Sequence, residues 1–212
     1  MDNARELANF DSIRRENHVR VSRIFLVVMP LQWLGGMVAA WWLWPATGAG
    51  GIHTQVWAAL IAGGLLNALL VPMLRRYPES ARTRHAVAVA QVLTSALLVQ
   101  VTGGRGGTQF HLFGSLVLLA LYLDWRVLAS AAATVLIQDL LGGVSWGMVE
   151  HAGWAIGEAI AFGWICRQSV ERMRETCAAE EHFRSICGSL PAASFWPTPA
   201  TKSARPCTAS WG

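Results

Sequence analysis

The sequence predicts an all-α, polytopic membrane bundle of six helices, and three observations carry that expectation. The chain is 53% hydrophobic and only 14% charged, where a soluble domain of similar length carries roughly 25% charged residues. Six apolar runs, most near the length that crosses a hydrocarbon core, are separated by short polar or Gly-rich segments. The arginines gather in alternate segments between those runs, as topology determinants do. The net charge of +4 therefore marks membrane topology, and no nucleic acid is expected as a partner.

Residues 1–22 read as a cytoplasmic arm. Leu7, Phe10 and Ile13 recur at helical spacing among Arg5, Arg14, Arg15 and Arg20. An amphipathic helix on the membrane surface is the simple reading, with docking to a partner as the alternative. The arm lacks an apolar core segment and a cleavage site, so no signal peptide is expected. The membrane domain covers residues 23–167, with runs at 24–44, 56–74, 86–102, 110–122, 127–141 and 147–166. Pro72 falls near the inner end of the second. The fourth and fifth are short and predict a tight helical hairpin. Tyr122, Asp124, Trp125 and Arg126 mark its turn. Four full spans plus a re-entrant pair would place irregular backbone against lipid, which leaves polar groups unpaired and favours six spans.

Orientation follows from the arginines. Arg14, Arg15, Arg20 and Arg23 precede the first run; Arg75, Arg76, Arg82 and Arg84 follow the second; Arg126 sits between the fourth and fifth; Arg167, Arg172 and Arg174 follow the sixth. The intervening loops carry no charge except Arg105. Both termini are thus expected in the cytoplasm. Trp41, Trp42, Trp44, Trp57 and Trp146 then fall at the outer interface and Trp125 at the inner one, as an aromatic belt does. Gly153 and Gly157 permit close helix approach in the sixth span; packing within the chain's own bundle is expected ahead of dimerisation.

Beyond Arg167, Val170, Met173 and Cys177 repeat at helical spacing among charged residues. Residues 168–187 are read as a signalling helix leaving the membrane, with a short parallel coiled coil as one form of it. Residues 188–212 hold Pro191, Pro197, Pro199 and Pro206 with no periodicity, and predict a disordered tail. The four cysteines form no CxxC pair, so a zinc ribbon or disulfide framework gains no support.

Ionisable groups inside apolar runs are costly and point to function. In the sixth span His151, Trp154 and Glu158 share a helical face, and Glu158 lies about half-way through, roughly 10 Å below His151. Glu150 points elsewhere, near the outer surface. His111, Ser115 and Tyr122 fall on one broad face of the fourth span, and Asp139 lies one turn from the outer end of the fifth, beside Gln138. Convergence of His111, Asp139 and His151 beneath the outer surface is expected, with Glu158 below them. Imidazole and carboxylate together suit zinc, copper or iron, and two imidazoles from different helices could ligate a haem iron. A proton-sensitive network and ordinary hydrogen bonding at helix ends are the alternatives. His53 and His85 read as interfacial, and His18 and His182 as solvated. The motifs of soluble enzymes are missing: residues 103–107 (GGRGG) lack the Lys of a phosphate-binding loop, and no GxSxG elbow occurs.

Two stretches, TQFHLFGSLVLLALYLDWRVL (residues 108–128) and VEHAGWAIGEAI (149–160), carry a resemblance. They resemble the six-span membrane input region of bacterial sensor histidine kinases, which precedes PAS domains and a kinase core. Related modules front chemoreceptors and cyclic-di-GMP enzymes. The resemblance covers roughly residues 20–181. It implies family positions for His111, Tyr122, Asp124, Trp125, Arg126, Glu150, His151 and Glu158. Gly107 and Gln109 stand where the family usually has Glu and His, and Asp139 stands near a common second His. Both departures weaken a metal or haem reading. EEHFRSICGSLPA (residues 180–192) resembles the opening of a PAS domain, and the likeness then stops. A frame change near Ala193 would turn the codons of SFWPTPATKSARPCT into a PAS-like strand and turn, so a truncated or frameshifted kinase is expected.

The resulting expectation is a sensory input module in the bacterial inner membrane, with no catalytic residues in this chain. Its expected partners are the lipid bilayer, a second copy of the chain and downstream PAS and kinase domains. Signal would enter at His111, Asp139, Glu150, His151 and Glu158 and leave through residues 167–183. The rivals are a small transporter or ion or proton channel using Glu158 and Asp139, an intramembrane metal- or haem-binding protein, and an intramembrane enzyme.

Overall fold

Over the described residues each apolar run matches one helix, except that Leu121 and Tyr122 of the fourth belong to the turn after it. In the computed structural model, which describes residues 2–43, 54–101, 106–142 and 146–189, the helices are α1 (Asp2–Leu43), α2 (Thr54–Arg76), α3 (Ala81–Val101), α4 (Gly106–Ala120), α5 (Trp125–Gly142) and α6 (Trp146–Ser189). The described residues contain no strand, and their fold is all-α. Of the tail expected at 188–212, Gly188 and Ser189 instead end α6, and 190–212, most of the uncharged loops and His53 lie outside the described residues.

α3 is the central post. It packs against α1, α2, α4 and α5, while α6 closes the bundle against α1, α4 and α5. The core is formed by Phe25 and Met29 of α1, Leu116 and Leu119 of α4, and Val127 and Leu128 of α5, all fully buried. The outward faces are also apolar. Val27, Leu31, Leu34 and Val38 form one exposed stripe on α1, and Ile61, Leu65 and Leu69 another on α2. Among the described residues, two helices are long and apolar enough to cross a membrane, Leu7–Ala39 within α1 and Ala81–Val101; Phe110–Ala120 is apolar but shorter.

Three expectations need correction. The arm is not a separate helix. It is about the first six turns of α1, because nothing from Asp2 to Arg23 interrupts helical propensity. Phe10 is buried and lies under the Arg174 guanidinium, 4.8 Å from its ring centre, which docks the arm on α6. The second correction concerns the stripe of Val170, Met173 and Cys177: Cys177 is already buried within the single chain. The third concerns Gly153 and Gly157, which are exposed, with nothing within 4 Å of where a Cβ would stand. The seam of α6 is instead built from Ala152, Ala155, Ala159 and Cys166. Those small side chains allow close approach, and α6 turns Gly153 and Gly157 away from the bundle.

A glycine is required elsewhere. A Cβ on Gly63 would stand 2.6 Å from Trp33 Cδ1. That indole is pinned by donating from Nε1 to the Leu60 carbonyl at 3.2 Å. Gly36, by contrast, would place its Cβ an ordinary 3.7 Å from Leu98. Gly63→Ala should therefore destabilise the bundle by about 1–3 kcal/mol through overpacking. Gly36→Ala should be neutral or stabilising, since alanine favours helix. Thermal unfolding in detergent compares the two; equal midpoints would show that α1 and α2 are not packed this closely.

Candidate functional site

Polar side chains enter the bundle in three places, and α3 contributes to two of them. The first is the turn between α4 and α5. Asp124 caps α5 by accepting from the Arg126 amide at 3.2 Å. Its other oxygen accepts from Arg84 Nη2 at 3.3 Å, and Arg14 stands 4.0 Å away. Arg84 also donates from Nη1 to the Glu79 carbonyl at 2.9 Å and to His18 Nδ1 at 3.2 Å. Tyr122 is fully buried, stacked on Phe25 with ring centres 5.6 Å apart, and its hydroxyl meets Ser22 Oγ at 3.2 Å. Ser22 donates to the Pro78 carbonyl at 2.8 Å, and Asn17 to the Leu121 carbonyl at 3.0 Å. Trp125 carries the Arg167 guanidinium 4.9 Å above its ring. Leu123 turns the chain with φ of 53°, a left-handed conformation that a side chain disfavours. The predicted turn residues thus tie α1, α3 and α6 to one point.

The second place lies about 16 Å along α3, eleven residues beyond Arg84 by helical rise. Ser95 Oγ is 2.8 Å from His111 Nδ1, and Gln91 donates to Ser115 Oγ at 3.1 Å. Ser115 donates to the His111 carbonyl at 2.7 Å. His111 also lines a small cavity with Gln32, Asn67 and Thr94.

The third place joins α5 to α6: His151 Nδ1 lies 3.0 Å from Asp139 Oδ2 and 3.3 Å from Oδ1. Two of the three expected ligands are therefore brought together, and His111 is bonded to α3 instead. Glu150 is exposed. Glu158 is partly buried at the edge of the α6 seam, with Oε2 shielded and without a hydrogen-bond partner. Among the described residues no three His, Cys, Asp or Glu side chains are grouped to hold a metal ion. Among the described residues the Asp139–His151 pair offers two donors, too few for the three or more a protein metal site needs.

Sequence reasoning missed the Arg84 centre. Arg84 reads as one topology arginine among several, and His18 as a solvated histidine. Both are buried, at 8% and 6% exposure. The available signal is spacing: Arg84, just before an apolar run, and Gln91 and Ser95 within it lie on one face of α3. His85 also bonds inward, to Ser130 Oγ at 3.0 Å. Comparison of the chain with protein-family models, curated proteins and solved structures finds no match.

Breaking a buried ion pair by removing one partner typically costs about 3–5 kcal/mol. Arg84→Met should cost about that much, whereas Arg15→Gln, which removes an exposed pair with Glu79 at 3.4 Å, should cost less than about 1 kcal/mol. Chemical unfolding of the two variants measures the difference.

His18 supplies a pH dependence. Burial, then the positive charges of Arg84 and Arg14, push its imidazole from 6.5 down to about 4. Between those values the unfolded chain takes up a proton that the folded chain refuses, so stability falls as pH falls. The thermal midpoint of the native chain should drop from pH 7 to 4.5 by more than that of His18→Gln. Parallel curves would show that His18 titrates normally.

Proposed function

We propose that this chain is the six-span membrane input module of a sensor histidine kinase. In this reading all six helices cross the bacterial inner membrane, both termini are cytoplasmic, and the arginine-rich end of the bundle faces the cytoplasm. The apolar outward stripes of α1 and α2 support a lipid environment, because a soluble protein would not expose them so continuously. The observation that carries the signalling part is the continuity of α6. One helix of 44 residues begins beside the Asp139–His151 pair, passes the Trp125–Arg167 contact and continues to Ser189. A change at the pair reaches the cytoplasmic end without crossing a loop. His111, Glu150 and Glu158 belong to the same sensing end. A homodimer is part of the proposal, and the open face at Gly153 and Gly157 leaves room for a second α6. The downstream partners are PAS and kinase domains.

The test is a graft. Residues 1–183 joined to an intact PAS-kinase should give a membrane-bound kinase, active only if residue 183 is cytoplasmic. Asp139→Asn should lock its output. Insertions of one to four residues after Arg174 should change output with a helical period. Output insensitive to both changes would reduce the module to a passive anchor.

A further inference from the structure

A groove of about 860 Å³ opens at the arginine-rich end, between the first turns of α1, the α4–α5 turn and the extension of α6. Six arginines and four carboxylates line it. Arg84 is matched by Asp124 and Arg15 by Glu79. Among the described residues, Arg126, Arg167 and Arg174 meet no carboxylate within 4.0 Å. Two of these are positioned by rings instead: Arg167 over Trp125 and Arg174 over Phe10. Stacking fixes a guanidinium while leaving its edge N–H groups to donate.

The floor adds donors without acceptors. Arg84 is more than nine-tenths buried, and its Nε–H has no partner; the Arg14 Nε–H is likewise buried and unpaired. A guanidinium can only donate, so what satisfies these groups must be an acceptor. A buried donor without one is costly. Excess positive charge at the rim and unpaired donors at the floor both call for an anion rich in oxygen. Phosphate meets several guanidinium forks at once.

We propose that this groove binds a phosphate-bearing anion, held by Arg126, Arg167 and Arg174 at the rim with Arg14 and Arg84 beneath. The ligand is the headgroup of an anionic phospholipid or a phosphate group from solution. Either one bridges α1, the α4–α5 turn and the extension of α6, and so clamps the helix that leaves the bundle. The lipid source rests on the membrane placement proposed above; the soluble source does not.

The test uses the full chain and the triple variant R126Q/R167Q/R174Q, whose altered side chains are all exposed. In one arm, both are placed in phosphatidylcholine nanodiscs doped with phosphatidylglycerol, and retained lipid is counted by native mass spectrometry. In the other, inorganic phosphate is titrated into the detergent-solubilised proteins by calorimetry. Preferential retention of phosphatidylglycerol, reduced about fivefold for each arginine removed, assigns the lipid source. Saturable phosphate binding that the variant loses assigns the soluble one. Equal retention of both lipids together with no phosphate binding overturns the proposal, as does binding that the triple variant keeps unchanged. Failure of the lipid arm with success of the phosphate arm would assign the soluble source and leave the membrane placement to the graft.

Discussion

The ion pair between Arg84 and Asp124 decides where four helices meet. Two charges shielded from water need each other and need further partners. Asp124 finds them in the Arg126 amide and Arg14, and Arg84 in the Glu79 carbonyl and His18. Because Asp124 also caps α5, its place is set from two directions. The left-handed Leu123 beside it is held by the same constraint, since a strained residue persists only where its surroundings over-determine it. Tyr122, stacked on Phe25, carries the arrangement into the apolar core.

α3 shows how a membrane-length helix can be polar inside and apolar outside. Arg84, Gln91 and Ser95 face inward at successive levels, while Val89 is exposed. In lipid, an inward polar face has no competing water, so its hydrogen bonds to neighbouring helices define rotation and depth. The contacts of His18 on α1, Ser115 and His111 on α4, and Ser130 on α5 all refer to this one helix.

The helical class and the location of all six helices were legible, because long apolar runs broken by Gly, Pro and Arg admit little else. The hairpin turn was legible for the same reason, since four polar or bulky residues separate two short runs. Helix rotation was not. The Asp139–His151 pair could be anticipated, as α5 and α6 are joined by a short connection. His111 turned to α3 because Ser95 offered a partner that carries no charge and so drew no notice. Gly153 and Gly157 misled because a small residue permits an approach without requiring one, and the alanines on the opposite side of α6 took that role. His18 and Arg84 lie in segments whose composition suggests solvent, and only the folded arrangement removes water from them.

The Trp125–Arg167 contact and the close approach of Gly163 to Trp125 lie part-way along α6. Geometry makes that point a fulcrum. From His151 to Arg167 the helix measures about 24 Å, and from Arg167 to Ser189 about 33 Å. A stiff rod turning there enlarges a sideways step at its His151 end by about 1.4-fold at the other. The far arm also sweeps past Phe10, so rocking α6 must either carry the start of α1 with it or lift Arg174 off the ring. The mechanical load of any such movement thus falls on a contact between a cation and an aromatic face, an interaction weak enough to be remade.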